Sequence, residues 1–323
     1  LPTGIDKDGR DRTAVCCLSS LNLEKYDEWK DDAMMINDVM RFLDNVLTDF
    51  IERAPDQFAD AKYSAARERS VGLGVMGFHS YLQKHSIPLE SVMSKVWNKK
   101  IFKHIQEHVD QASKDLADER GPCPDAAEYG FNERFSNKTA IAPTASISII
   151  CGGASPGVEP VAANSYTHKT LSGSFNVRNR YLVELLEKHG KNNEDVWSGI
   201  TTNQGSVSDL DFLTDHEKDV FKTAFELDQK WIIELSGDRT PHISQAQSIN
   251  LFLAADVHKK ELHKIHFDAW KKGLKSLYYC RSKSIQRAEN VNDEKSTDIL
   301  ANVYKQKPTA AKDPEYEECL SCQ

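Results

Sequence analysis

Two long amphipathic stretches, set among short runs of apolar or small residues, constrain this chain more than any other feature. Between Trp29 and Ile51, apolar residues fall at Ile36, Val39, Met40, Leu43, Val46, Leu47 and Phe50, the spacing of one helix face over several turns. A second helix is predicted from Val92 to about Leu116, with Val92, Val96, Ile101, Ile105 and Val109 recurring and Gly121-Pro122 as its stop. The runs Ala14–Leu18, Thr139–Ala142 and Leu274–Tyr279 are too short for helices and read as strands, the first of them buried. Thr214-Asp215-His216-Glu217 is a capping box, and its helix is expected to run to Gly237. Asp256 is expected to cap a basic helix ending near Gly273. Strands alternating with long helices make this an α/β protein.

At 323 residues there is material for one large or two ordinary domains. The apolar pattern fades after about Arg287, so residues 1–287 are taken as the folded part and 288–323 as a disordered tail. A net charge of -8 argues against a nucleic-acid-coating surface. No apolar run reaches the roughly 20 residues of a membrane span, and no secretory signal is visible. Seven cysteines, mostly scattered singly, suit a reducing cytoplasm better than a secreted disulfide scaffold.

Several motifs admit more than one chemistry. Gly72-Leu73-Gly74-Val75-Met76-Gly77 fits the dinucleotide pattern, but the polar, Arg-rich Lys62–Ser70 precedes it where a hydrophobic strand is required. Close packing or a turn is therefore the favoured reading. Pro143-Thr144-Ala145-Ser146-Ile147-Ser148 follows a strand with small hydroxyl residues. It suits either a phosphate-binding helix start or a plain small-residue turn. Tyr278-Tyr279 reflects β-propensity unless the two phenols stack to relay an electron and a proton. His258, His263 and His266 share a lysine-rich helix, where a solvated basic face is favoured over a metal clamp. Cys319 and Cys322 form the one CxxC, which suits thiol exchange better than zinc, since structural zinc commonly takes two such pairs.

Five blocks, in order, resemble the C-terminal half of the class I (class Ia-like) ribonucleotide reductase large subunit. They are Ala14–Leu23, Gly72–Phe78, Ala142–Ser148, Gly273–Tyr279 and the terminal Cys319/Cys322 pair. The resemblance implies the C-terminal part of a ten-stranded α/β barrel that reduces ribonucleoside diphosphates by radical chemistry. It implies that Cys16, rather than its neighbour Cys17, is one of two thiols oxidised in turnover. Pro143, Thr144, Ala145, Ser146 and Ile147 would hold the substrate phosphates. Tyr278 and Tyr279 would pass the radical from the small subunit, and Cys319 and Cys322 would shuttle electrons from thioredoxin or glutaredoxin. The tyrosine pair also separates the chain from cobalamin-dependent relatives. No cofactor or metal is expected in this chain; the tyrosyl radical and di-iron centre belong to the small subunit.

One departure is large. The family's Asn-x-Cys-x-Glu radical motif occurs nowhere in these residues. The chain is therefore expected to be a split or truncated large subunit, inactive alone and dependent on a partner that supplies the N-terminal half of the barrel. The alternative from another class is a non-catalytic, reductase-like scaffold for the small subunit, which would have no need of Cys16, the tyrosine pair and the tail thiols together.

Overall fold

The computed structural model describes residues 2–170 and 173–282. A hairpin of β1 (Pro2–Ile5) and β2 (Asp11–Thr13) leads into β3 (Leu18–Asn22). Two helices follow, α1 (Tyr26–Trp29) and α2 (Met35–Arg53), then α3 (Ala59–Glu68), β4 (Gly72–Met76) and α4 (Phe78–Lys84). The longest helix, α5 (Val92–Arg120), precedes the short α6 (Pro124–Glu128) and α7 (Ala145–Ile150). A hairpin of β5 (Ser165–Thr170) and β6 (Gly173–Arg178) carries the chain to α8 (Arg180–Lys188) and α9 (Glu194–Thr202). Last come α10 (Asp215–Val220), α11 (Gln229–Arg239), β7 (Leu251–Leu253), α12 (Lys259–Lys271) and β8 (Cys280–Ser282).

The strands that matter are parallel. β3 pairs with β4 from Leu18↔Gly72 to Asn22↔Met76. Single parallel bridges then join Leu73 to Thr139 and Ile141 to Gln247, and β7 pairs in parallel with β8. Five extended segments thus lie side by side in chain order, with helices between them. That is the arc of an α/β barrel, whose crossovers must be helical because parallel neighbours cannot be joined by a tight turn.

Helix α2 buries Ile36, Met40, Leu43 and Leu47 against the stripe of α5 formed by Ile101, Phe102, Ile105, Val109 and Leu116. Each such side chain, fully withdrawn from water, contributes about 1.5–3 kcal/mol before the entropy of ordering is counted. Ser91 accepts from the Ser94 amide at the start of α5, and Gly121, at φ 84°, ends it. Asp44 is fully buried on α2 and pins the layers together. Its carboxylate accepts from Arg69 Nε at 2.8 Å, Arg120 at 2.8 Å and Arg134 at 2.9 Å. Burial alone would raise its pKa, but the hydrogen bonds and charges of these arginines outweigh that and hold it below the usual carboxylate range.

Four local expectations are corrected. Ala14–Cys17 is not a strand: only Cys17 of these is buried, and regular pairing begins at Leu18, where β4 becomes available as a partner. The predicted helix Thr214–Gly237 is two helices. Its capping box is present, but Thr223 and Glu226 bond each other and Asp228 caps a new start by accepting from the Lys230 amide. The cap of α12 is His258, whose Nδ1 accepts from the Lys260 amide, and not Asp256. Leu274–Tyr279 is irregular, with β8 beginning only at Cys280.

Candidate functional site

The glycine-rich motif lies almost wholly in β4, whose five residues are all buried. A Cβ on Gly74 would sit 2.2 Å from the carbonyl oxygen of Ala140, so the strand approaches its neighbour too closely for any side chain. Gly77, at φ 80°, turns the chain into α4. Upstream stands helix α3, not the strand a dinucleotide fold requires, so the packing explanation holds.

Cys16 and Cys17 are separated by their surroundings. Cys17 is buried, burial raises its pKa, and its Sγ points at the Leu43 carbonyl 3.7 Å away. Cys16 is exposed. A thiol available for exchange must be reachable, and of these two only Cys16 is.

The 143–147 segment lies beyond the Thr139–Ile141 strand position. Thr144, in the left-handed region at φ 54°, heads α7, and its Oγ1 accepts from the Gly157 amide at 2.7 Å. This buried hydroxyl braces the turn. Ser146 and Ile147 are exposed, and the first amides of α7 have no upstream carbonyl within the helix to bond. Nearby contacts place the carboxyl ends of β3 and β4 against the same loop. Asn22 donates to the Cys151 carbonyl at 3.5 Å, and the Gly77 amide to that of Ser155 at 2.7 Å. Crevices at the carboxyl ends of parallel strands are where α/β sheets bind ligands.

Behind α7 opens a cavity of about 240 Å³, lined in part by Ala145, Ser148, Glu24, Arg180 and Tyr181. Glu24 is buried, accepts from the Tyr181 hydroxyl at 2.5 Å and has the Arg180 guanidinium 3.4 Å away. Burial first, then the Glu24 carboxylate, pushes the Tyr181 phenol well above its ordinary pKa. Nothing in the sequence marks this group, because Glu24 and Tyr181 are 157 residues apart.

Tyr278 and Tyr279 are brought together, with ring centroids 4.1 Å apart and planes at 51°. Alternation along a regular strand would have sent them to opposite faces; the irregular backbone before β8 does not. Two ladder bonds to β7 and its approach hold it: Tyr278 N–H to the Ile249 carbonyl at 2.9 Å, and Leu251 N–H to the Tyr279 carbonyl at 2.8 Å. The Asn250 side chain also accepts from the Tyr279 amide at 3.1 Å. Along α12, His263 stacks on Phe267 with centroids 6.1 Å apart, and His266 Nδ1 faces the Leu262 carbonyl at 2.8 Å.

The structure therefore joins some predicted sites and leaves others apart. By register Cys16 precedes the amino ends of β3 and β4, whereas residues 143–147 lie past their carboxyl ends. The tyrosines flank the far strand of the arc, at β8. Cys319 and Cys322 fall outside the described residues, as does the whole 288–323 tail. Among the described residues no helix is long and apolar enough to cross a membrane.

Comparison with known proteins places this geometry. Residues 5–134 and 125–280 match the family model of the ribonucleotide reductase barrel domain. The ribonucleoside-diphosphate reductase large subunit of Invertebrate iridescent virus 6 is 52% identical over 285 residues, covering 87% of this chain and 30% of that protein. The large subunit of Invertebrate iridescent virus 3 is 45% identical over 289 residues, covering 88% of this chain and 46% of that one. Among solved structures, the Actinobacillus ureae class Id ribonucleotide reductase alpha subunit superposes with a TM-score of 0.79 at 39% identity, over 84% of this chain and 50% of that one. The chain thus spans between about a third and a half of the length of these relatives.

Proposed function

The chain belongs to the ribonucleotide reductase barrel-domain family, and from that premise we propose that it is the C-terminal portion of the catalytic barrel of a ribonucleoside-diphosphate reductase large subunit. The observation that carries this reading is the Tyr278–Tyr279 pair, held 4.1 Å apart on a backbone anchored to β7. A structural scaffold has no need of two phenols in contact at the edge of the arc.

In this reading a ribonucleoside diphosphate binds with its phosphates over residues 143–147, received by the amides at the start of α7 and by Ser146. Cys16 and a second thiol, supplied by the rest of the barrel, are oxidised to a disulfide as the ribose 2'-hydroxyl leaves as water. Two thiol hydrogens and two electrons balance that loss. The dithiol of Cys319 and Cys322 then reduces the disulfide by exchange, becoming a disulfide that thioredoxin or glutaredoxin reduces in turn. Tyr278 and Tyr279 pass an electron and a proton between the small subunit and the thiol that begins the reaction. The remaining strands and the radical cysteine come from the N-terminal half of the barrel, on this polypeptide or another. Among the described residues β3 pairs with β4 alone, as expected of a sheet edge awaiting a neighbour. No cofactor is assigned to this chain; the di-iron centre and tyrosyl radical are assigned to the small subunit, and the cytoplasm is the proposed location.

Replacement of Tyr278 or Tyr279 by Phe tests this, because it keeps the ring and removes only the O–H. In the assembled enzyme, equilibrium dialysis should show unchanged substrate affinity while turnover disappears. Normal turnover in either variant would refute the assignment.

A further inference from the structure

We propose that Ser80 and Ser155 are positioning residues that hold the phosphate loop in place, acting through Gly157 and Thr144. This deepens the reading above and rests on it.

Helix α4 has no cap of its own, because Gly77 at its N-cap position carries no side chain. Ser155, 75 residues beyond Ser80, supplies one. Its Oγ accepts from the Ser80 amide at 3.1 Å, and the Ser80 Oγ accepts from the Ser155 amide at 2.9 Å. This is the reciprocal pattern of a capping box, with Ser80 at the third helical position and the cap residue drawn from a distant segment. Both residues are buried, Ser80 at 5% and Ser155 at 1% exposure. Two more amides at the start of α4 donate to the same stretch. Gly77 bonds the Ser155 carbonyl at 2.7 Å, and Phe78 bonds that of Gly157 at 3.4 Å.

Residues 155–157 are thus fixed to α4, and through it to β4. The same three residues meet the proposed phosphate loop. The Gly157 amide donates to Thr144 Oγ1 at 2.7 Å. A Cβ on Gly157, which stands at φ 50°, would lie 3.1 Å from the Ala142 carbonyl oxygen, so the two backbones run close together. Apolar packing does little to place α7. Among the described residues only Ser148 of this helix is buried, while Ile147, Ile149 and Ile150 are exposed. Ala145 and Ser148 line the cavity of about 240 Å³ whose wall Ser80 and Ser155 also form. With a void there in place of a packed core, the hydrogen bonds through Gly157 and Thr144 set where the first amides of α7 stand.

The test uses the assembled reductase, with the small subunit and the full barrel, and cytidine diphosphate as substrate. Ser80→Ala and Ser155→Ala each remove one bond of the pair. Each should raise KM, and the Kd from equilibrium dialysis, about tenfold while kcat stays within about twofold, because what is displaced is the phosphate-binding backbone. Both substitutions break one device, so the double variant should be no more than about twofold worse than the worse single variant. Ser155→Thr keeps the cap oxygen and has the cavity to receive its methyl, so it should stay within about twofold of wild type. Where an alanine variant does not fold by circular dichroism, cysteine at that position takes its place, since sulfur accepts only weakly. Unchanged KM in both single variants would overturn the inference. So would effects that multiply in the double variant, a fall in kcat at constant KM, or a Ser155→Thr enzyme as weak as Ser155→Ala. Ser146→Asp run alongside separates the two levels. It sets a negative charge at the proposed phosphate site, on an exposed residue in a first helical turn that accommodates an acid. If it raises KM about tenfold or more and the serine-pair variants do not, only the positioning role fails; if it leaves KM unchanged, the phosphate reading fails and this inference with it.

Discussion

Gly74→Ala is the substitution whose cost can be worked most directly from the structure. The new methyl would lie 2.2 Å from the Ala140 carbonyl oxygen and 3.3 Å from its carbon, where real contacts stop at 3.0 Å. The atom in the way is backbone, so no rotamer change relieves the clash. One of the two strands must give by about 0.8 Å merely to reach the closest tolerated approach. That displacement strains the bonds on both sides of Ala140, from the Ala140 amide to Leu73 at 3.2 Å and from the Ile141 amide to Ala246 at 3.1 Å. Overpacking costs about 1–3 kcal/mol, and a weakened ladder bond about 1 kcal/mol more. A sum of about 2–4 kcal/mol corresponds to a fall in Tm of roughly 5–12 °C for a chain of this size. The assay is thermal unfolding by circular dichroism, with Gly199→Ala as the matched control. Gly199 lies inside α9 with nothing within 4 Å of its would-be Cβ, so that variant should gain about 0.4–1 kcal/mol. A Gly74→Ala protein melting at or above the wild-type temperature would refute the account of the motif.

Asp44→Asn should destabilise by about 3–5 kcal/mol in denaturant titration, since it leaves Arg69, Arg120 and Arg134 facing one another without their shared anion. Because the Asp44 pKa is lowered on folding, its stabilisation is complete above the unfolded value of about 3.9 and is lost as pH falls through that value toward the folded one. The wild type should therefore show a steeper acid limb than Asp44→Asn; parallel limbs would contradict this. Replacing both Cys319 and Cys322 by Ser in the assembled enzyme should spare turnover with dithiothreitol and impair it with thioredoxin, and equal effects on both would remove the shuttle role.

The features legible in the sequence are those whose causes lie within a few residues. The stripe of α5 and its Gly121 stop are local, and the observed helix extends only four residues past the predicted Leu116. The Thr214–Glu217 capping box is likewise local and present; the end of its helix is not, because the interruption is stabilised by the Ala224 amide bonding the Val161 carbonyl. The α/β class followed from alternation, and the ordered blocks were enough to point to the family. What only the tertiary structure decided depends on neighbours far along the chain. Gly74 is glycine because of Ala140. Cys16 is the reachable thiol because α2 covers Cys17. The two tyrosines meet because the backbone before β8, tied to Ile249, Asn250 and Leu251, departs from regular strand alternation. Periodicity and capping are written in short-range order, whereas close approach, burial and long-range hydrogen bonds arise only when distant segments share one space.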